Sequence, residues 1–285
     1  MSLTMHTDNG YTYVDEGQGS LVILLHGLMG GPENFKTVVP DLSRDYRVVV
    51  PRLPLYELQL RKATVRELCR FVHRFVAHMG FARFVLVGNS LGGQLALRYA
   101  LDHPGEVAGM VLAGSSGLKE NTLGTKLPRR KDYDYVREKA ALTFYDPAVA
   151  TKELVDEVFA IVNSNITALK LLRLAKSAVK DNLASELHRL SMPVGLIWGR
   201  DDVVTPPDVA EEFQEKLQLS KLCFFDECGH APMMEKPHEF NEALRDYLHW
   251  FDREAEGGFR RANQASPDAS PRCPDPGDGR AAAMA

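Results

Sequence analysis

A serine stands between glycines in the segment Gly88-Asn89-Ser90-Leu91-Gly92, which fits the pattern G-x-S-x-G. A mostly apolar run precedes the segment and a helical pattern follows it, so the sequence predicts a sharp strand-to-helix turn at Ser90. Glycines two positions to either side allow the two backbones to approach closely. A serine hydroxyl is a weak nucleophile that needs a base, itself oriented by an acid. The motif predicts nucleophilic catalysis by Ser90 if the chain supplies both partners.

Candidate partners follow two later predicted strands, in the order that a strand-turn-helix nucleophile requires. The run 193–199 ends in "GRDDVVTPP", which offers Asp201 and Asp202 as acids, and the run 221–228 ends in "CGHAPMMEKP", which offers His230 as the base. Taken singly, a histidine is more often a surface or capping residue, and aspartates in a turn are usually solvated. The ordered combination favours catalysis.

An oxyanion that forms at Ser90 needs two hydrogen-bond donors. The N–H of Leu91, directly after the serine, is one candidate. The loop "HGLMGG" after the strand predicted at 20–25 supplies the other, for which we select the N–H of Leu28. We expect His26 in that loop to fix the backbone by hydrogen bonding rather than to react.

Short apolar runs alternate with helical patterns, which predicts an α/β fold with a mostly parallel sheet flanked by helices. The alternation stops at residue 118 and returns near 191, and the segment between them is helical in pattern. We therefore predict a core made of 1–117 and 191–252 with a helical cap at 118–190. The segment 253–285 is rich in Pro, Gly, Ala and Asp, and we expect it to be a disordered tail.

Composition excludes several function classes. The net charge of −4 and pI near 6.2 argue against nucleic acid as a partner. The sequence has neither the pattern of a signal peptide nor an apolar run long enough to span a bilayer, so we expect a cytoplasmic protein.

The four cysteines (Cys69, Cys223, Cys228 and Cys273) show no CxxC spacing, and free thiols are the expectation. The predicted chemistry needs no metal or organic cofactor. The oligomeric state stays open between monomer and homodimer.

Across about residues 8–252 the chain resembles α/β-hydrolase fold proteins, through "LLHGLMGGPENF", "VGNSLGG", "WGRDDVVTPP" and "CGHAPMMEKPHEFNEALRDYL". The resemblance implies an eight-stranded sheet, and it favours Asp202 over Asp201 as the acid. It also implies that the helical insertion forms a cap over the site. We expect apolar cap residues to line a substrate pocket, for example Phe144, Tyr145, Phe159 and Leu172. The basic residues of 166–180 are expected to form a solvated outer face.

Within this family the sequence is similar to small carboxylesterases and thioesterases, which implies hydrolysis of a small ester or thioester through an acyl-enzyme. It also resembles the carbon–carbon bond hydrolases of meta-ring-fission products. That group usually has a Gly-rich oxyanion loop, a cap arginine and a tryptophan after the histidine, whereas this chain has Leu28-Met29 and Ala231. Transfer of the acyl group to another acceptor, including peroxide, remains open. So does a binding protein that keeps the hydrolase fold without turnover.

Overall fold

The computed structural model describes residues 3–121 and 129–261. One eight-stranded sheet runs in the order β1-β2-β4-β3-β5-β6-β7-β8. Both pairs that involve β2 are antiparallel, and every other neighbouring pair is parallel, which agrees with the predicted sheet. The strands are β1 (His6–Asp8), β2 (Tyr11–Glu16), β3 (Leu21–Leu25), β4 (Arg47–Pro51), β5 (Phe84–Asn89), β6 (Val107–Ala113), β7 (Val194–Gly199) and β8 (Ser220–Phe225).

Helices cover both faces of this sheet and also form the insertion. They are α1 (Val38–Leu42), α2 (Val65–Met79), α3 (Leu91–Asp102), α4 (Tyr133–Ala141), α5 (Lys152–Asn163), α6 (Asn165–Lys180), α7 (Pro207–Lys216), α8 (Pro232–Glu235) and α9 (Pro237–Arg261). Local signals explain several ends. The Thr64 hydroxyl accepts a hydrogen bond from the Glu67 N–H at the start of α2, and Gly80 ends that helix with a φ of 67°.

The core consists of two apolar layers, one on each side of the sheet. Along β3, the side chains of Ile23 and Leu25 join one layer, and those of Val22 and Leu24 join the other. Helices α2, α3 and α7 pack on the first layer, and α1 and α9 pack on the second. Burial on both faces explains why the central strands are continuous apolar runs rather than alternating ones.

The insertion is helical over 133–180, but two details differ from the sequence prediction. The helix expected directly after Asp146-Pro147 begins at Lys152, because the Thr151 hydroxyl caps it by accepting from the Leu154 N–H. Before it, Pro147–Val149 forms a short 3₁₀ helix. The helix expected in "LASELHRL" is reduced to a 3₁₀ turn at Leu187–Arg189. Residues 122–128 lie outside the described ranges.

The last helix extends past the predicted core boundary at residue 252 and continues to Arg261. Strong helix formers at Arg253-Glu254-Ala255 let the backbone go on beyond the apolar pattern on which the boundary was based. The rest of the predicted tail, 262–285, lies outside the described residues.

The cysteine prediction needs one correction. Cys69 and Cys228 are buried free thiols, as expected, but Cys223 is disulfide-bonded. Spacing in the sequence does not reveal which cysteines meet in the fold, so the prediction is wrong for this residue. Cys273 lies outside the described residues.

Among the residues that the structure describes, no single helix has the length and apolar content needed to cross a membrane. Helices α5 and α6, bent by 95° relative to each other, satisfy length and composition when they are taken as a pair.

Candidate active site

Ser90 lies at the tip of a sharp turn between β5 and α3. Its φ of 54° and ψ of −121° are rare for a residue other than glycine, so the turn holds the serine in a strained conformation. The Ser90 N–H donates to the carbonyl oxygen of Ala113 on β6 at 3.1 Å, which anchors the turn to the sheet. The predicted strand-to-helix turn is present at this serine.

The two glycines around Ser90 are required by close backbone contacts. A Cβ added at Gly88 would lie 2.5 Å from backbone atoms of Gly92 and Gly93. A Cβ added at Gly92 would lie 2.0 Å from the carbonyl oxygen of Leu25 on β3. Both distances are far below van der Waals contact, so a side chain at either position would force the turn open.

Asp202 and His230, from the loops after β7 and β8, form a buried hydrogen-bonded pair. The Asp202 Oδ2 lies 2.9 Å from the His230 Nδ1. The other oxygen, Oδ1, accepts from the N–H groups of Val204 and Thr205 at 2.8 and 2.9 Å. The Thr205 hydroxyl donates to Oδ2 at 2.8 Å. These donors fix the face that the carboxylate presents to the imidazole.

The charge of Asp202 controls the protonation of His230. Burial alone lowers the pKa of His230, but the charge of Asp202 and its hydrogen bond outweigh burial, so the pKa lies above its ordinary value. Asp202 thus favours the imidazolium form and also directs the Nδ1 proton toward itself. The neutral imidazole then keeps its free lone pair on Nε2.

The His230 Nε2 is buried and has no hydrogen-bond partner among the described residues. Ser90 and His230 line the same cavity, yet the structure contains no hydrogen bond between them. Such bonds are often long or poorly aligned without substrate and shorten when it binds. The structure therefore brings Asp202 and His230 into direct contact and places Ser90 beside them in a shared cavity.

The loop after β3 is fixed by His26, as the sequence analysis expects. The His26 Nε2 lies 3.0 Å from the Leu53 N–H, and the Nδ1 lies 3.1 Å from the Gly27 carbonyl oxygen. Burial lowers the pKa of His26 to about 4, so the ring is neutral, with Nδ1 as donor and Nε2 as acceptor. The side chain thereby ties the loop to the segment after β4.

This loop packs directly on the serine. A Cβ added at Gly27 would lie 3.1 Å from the Ser90 Cβ, which leaves no room for a larger residue. Leu28 and Leu91 both line the cavity that Ser90 faces. Neither of their backbone N–H groups donates a hydrogen bond within the described residues. Both N–H groups, one from the loop and one from the start of α3, are therefore not engaged with other described residues.

The cavity above Ser90 has a volume of about 230 Å³ and has a mainly apolar lining, to which both the core and the cap contribute. The cap residues from α4, α5 and α6 include Val136, Leu154, Val158, Val162, Leu174 and Ala178. Two charged side chains, Glu120 and Lys139, also line it, and the Ser116 hydroxyl donates to the Glu120 carboxylate at 2.6 Å. The cavity suits an uncharged, mostly apolar group next to a polar reacting centre.

Of the four cap residues predicted to line the pocket, the structure places Phe144 there. Tyr145 is 48% exposed and is not part of the lining, and Phe159 packs edge-on against the Tyr133 ring at 5.2 Å. Leu172 is also absent from the lining. The prediction is wrong for these three because the helical period alone does not show which apolar stripe faces the core.

The basic face predicted on α6 is also partly wrong. The Lys170 ammonium donates to the Tyr56 carbonyl oxygen at 2.5 Å, and the Arg173 guanidinium donates to the Arg61 carbonyl oxygen at 3.2 Å. These side chains bind the segment after β4 instead of facing solvent alone. They attach the cap to the core.

Glu235 forms a second connection between cap and core, which the sequence did not predict. Its Oε1 accepts from the Gly229 N–H at 2.9 Å, and its Oε2 accepts from the Tyr145 N–H at 2.7 Å. The His230 N–H donates to the Thr143 carbonyl oxygen at 2.9 Å. The histidine loop is therefore held against the cap segment 143–145. Glu235 stands five positions after His230, in the segment "CGHAPMMEKP". Its partner Tyr145 lies in the insertion, so no spacing in the sequence indicates their contact.

Helix α3 carries the third connection. The Gln94 amide donates to the carbonyl oxygens of Ala178 and Asp181 at 3.0 and 2.8 Å. The Arg98 guanidinium binds the carboxylates of Asp181 and Glu186 at 2.8 and 3.1 Å, with only 10% of its side chain exposed. The helix that begins after Ser90 thus also anchors the end of the cap.

Comparison with known proteins agrees with this architecture. A model of the "Alpha/beta hydrolase family" matches residues 22–243. The chain is 28% identical over 263 residues to 2-hydroxy-6-oxo-6-phenylhexa-2,4-dienoate hydrolase of Comamonas testosteroni, which covers 83% of this chain and 90% of that one. It is 29% identical over 242 residues to pimeloyl-[acyl-carrier protein] methyl ester esterase of Nitrosomonas europaea, covering 79% and 94%.

A solved structure of an alpha/beta hydrolase matches the chain at higher sequence identity than these two relatives. MGS-MChE2, an alpha/beta hydrolase enzyme from a lagoon-sediment metagenome of Mar Chica, Morocco, is 36% identical with a TM-score of 0.73. The match covers 87% of this chain and 99% of MGS-MChE2. The family match spans most of the chain and runs from β3 into the beginning of α9, so it includes the loops from which the described site is built. The chain belongs to the alpha/beta hydrolase family and is a hydrolytic enzyme.

Proposed function

We propose that this hydrolase cleaves a small carboxylic ester or thioester, with Ser90 as nucleophile, His230 as general base and Asp202 as the acid that orients it. The observation that carries the proposal is the free Nε2 of His230. It is buried beside Ser90 in one cavity, while Nδ1 is held by Asp202. A base placed in this way has its lone pair available to the serine and no competing partner among the described residues.

In the proposed reaction, the His230 Nε2 takes the Ser90 hydroxyl proton as the oxygen attacks the carbonyl carbon. The tetrahedral oxyanion accepts hydrogen bonds from the N–H groups of Leu28 and Leu91. As the carbon–oxygen or carbon–sulfur bond breaks, the Nε2 proton passes to the leaving alcohol or thiol. Water, deprotonated by the same nitrogen, then attacks the acyl-enzyme and releases the acid. Apart from the hydrolytic water, these steps use only side-chain and backbone groups of this chain.

Two features support an ester rather than a dienoate as substrate. The lining of the cavity is mainly apolar, and the carboxylate of Glu120 stands in it close enough to His230 to raise the pKa of that histidine. A carboxylate there disfavours a second carboxylate on the substrate. The relative from Nitrosomonas europaea is named as an ester hydrolase, which is the same bond class.

Carbon–carbon bond hydrolysis is the second candidate. The 28% identity to a hydrolase named for 2-hydroxy-6-oxo-6-phenylhexa-2,4-dienoate favours it. Lys139 in the cavity would supply a cation for the carboxylate of such a substrate. Against it, this chain has Ala231 directly after His230, where the resembling group usually has tryptophan.

A fluorophosphonate probe tests the nucleophile, and a substrate panel tests the bond. We expect stoichiometric labelling mapped to the Ser90 peptide, lost in Ser90→Ala and kept in Ser116→Ala, whose serine lines the same cavity. We expect turnover of p-nitrophenyl and CoA esters of graded length to exceed that of a phenylhexadienoate substrate. Preference for the dienoate would replace the ester proposal. Labelling without turnover of any substrate would support acyl transfer to another acceptor, and the absence of labelling would support a binding protein.

A further inference from the structure

A cluster of metal-binding side chains lies far from Ser90, at the other end of α3. His73 comes from α2, His103 follows the last residue of α3, and Glu106 precedes β6. One nitrogen from each histidine and one oxygen from Glu106 lie within 4.8 Å of one another. A helix the length of α3 spans about 18 Å, so this cluster is separate from the cavity above Ser90.

The cluster has an internal order that suits a cation. The Tyr99 hydroxyl, on a side chain that is almost fully buried, donates to Glu106 Oε2 at 2.5 Å. This bond fixes the carboxylate and leaves Oε1 directed to His103, whose Nδ1 lies 3.8 Å away. A carboxylate held by a second hydrogen bond is the arrangement that commonly supports a metal ligand.

The two imidazole rings are stacked, with centroids 4.2 Å apart and planes only 3° from parallel. In a tetrahedral zinc site with bonds near 2.1 Å, the donor atoms lie roughly 3.4 Å apart. His73 is exposed, so a change of its side-chain rotamer could bring its nitrogen into that range without displacing the core.

The surrounding charges also permit a cation. The end of α3 presents carbonyl oxygens with partial negative charge. His73 and His103 themselves line a hollow of about 200 Å³, together with the carboxylate of Asp102 and the arginines Arg66, Arg70 and Arg98. Arg70 is ion-paired with Glu67, and Arg98 is ion-paired with Asp181 and Glu186. Two of these three arginines are therefore already compensated by carboxylates.

We propose that His73, His103 and Glu106 form a binding site for a divalent transition-metal ion, best suited to Zn²⁺. Two nitrogens and one carboxylate oxygen are ligands that zinc accepts in a tetrahedral site, with the fourth position left to water. The bound ion would link the middle of α2 to the end of α3. The site takes no part in the proposed ester hydrolysis, so the two proposals succeed or fail independently.

Calorimetric titration of tag-free protein with ZnCl₂ tests the site, with MgCl₂ as the comparison cation. We expect one saturable zinc site per chain, no comparable magnesium binding, and an increase in melting temperature on zinc addition that magnesium does not produce. His73→Ala should weaken zinc binding at least tenfold, and because His73 is exposed this variant should fold normally. Glu106→Gln should also weaken binding.

Two controls separate this site from other histidines. His238 is exposed and lies 3.6 Å from Glu242, and among the residues that the structure describes this pair has no third ligand. His238→Ala should bind zinc as the wild type does, and so should His230→Ala, which removes the histidine of the cavity. Absence of saturable binding would overturn the proposal. Equal affinity in His73→Ala and wild type, or loss of binding in either control, would overturn it as well.

Discussion

Replacing Asp202 by asparagine is the most direct test of how His230 is controlled. The new side chain keeps an oxygen that accepts from the N–H groups of Val204 and Thr205. Its NH₂ group then takes the place of the oxygen that lies 2.9 Å from the His230 Nδ1. A donor in that position requires Nδ1 to be the acceptor, so the ring proton moves to Nε2. The nitrogen that should take the serine proton is then already protonated.

The expected loss follows from two effects. Opposite charges about 4 Å apart in a medium with an effective dielectric constant near 20 attract by about 4 kcal/mol, which the imidazolium of the transition state loses in the variant. That energy alone corresponds to about a thousandfold in rate. The wrong tautomer adds to this, and in Ser-His-Asp enzymes generally the same substitution lowers kcat about 10⁴-fold. We therefore expect Asp202→Asn to lower kcat by about 10³- to 10⁴-fold.

Asp201 provides a matched control, because it is adjacent in the chain and exposed, whereas only 2% of Asp202 is accessible. Initial rates with p-nitrophenyl butyrate at saturation should show Asp201→Asn within about twofold of wild type. Thermal unfolding of both variants checks that the fold is kept. If Asp202→Asn retains more than a tenth of wild-type kcat, or if Asp201→Asn loses as much as Asp202→Asn, the assignment of the acid is wrong.

Three other predictions follow from the site. Because Asp202 raises the pKa of His230 and the base must be neutral in the free enzyme, kcat/KM should rise with pH through a midpoint above 6.5; a midpoint clearly below 6.5 would contradict the reasoning. Glu120→Gln should raise kcat/KM for an anionic ester such as mono-p-nitrophenyl glutarate by about fifteenfold, since charges roughly 10 Å apart at an effective dielectric constant near 20 repel by about 1.7 kcal/mol. The same variant should change turnover of neutral p-nitrophenyl butyrate little, and equal effects on both esters would point to a structural role. Glu235→Ala should lower the free energy of unfolding, measured in urea, by about 1–3 kcal/mol, because the Gly229 N–H loses its acceptor. The same variant should lower kcat/KM, because the loop of His230 is no longer held to the cap. No change in either quantity would show that Glu235 does not hold the loop.

The sheet and the neighbourhood of Ser90 were predictable because each depends on local pattern. Val22 to Leu25 is a continuous apolar run since both faces of β3 are covered, and that burial is visible in the sequence itself. The glycines at 88 and 92 mark a sharp strand-to-helix turn through their local spacing around Ser90, although the contact that requires Gly92 is with the distant Leu25 on β3. The loops after β7 and β8 could be located for the same reason.

The cap could not be predicted to the same depth, because its contacts join residues far apart in the chain. The Tyr145 N–H meets Glu235, and Gln94 meets the end of α6, yet neither pair has a characteristic spacing. Apolar residues of an amphipathic helix satisfy the same period whether they line a cavity or pack on a neighbour. Phe144 and Phe159 are equally apolar, and only the tertiary arrangement places one in the cavity and the other against Tyr133.

Helix α3 connects the turn at Ser90 to the cap. Its N-terminal end follows Ser90 and places Leu91 in the lining of the cavity, while Gln94 and Arg98, one and two turns later, hold the cap. The elements around the reacting atoms are thus set by strand ends, and the shape of the cavity is set by an insertion attached to the same helix. Relatives that share 28% and 29% identity with this chain are named for a dienoate and for a methyl ester. Because the cap is separate from the strand ends, a change in the cap can alter the substrate without moving the strand ends. This separation explains how the same kind of sheet can support hydrolysis of both substrates.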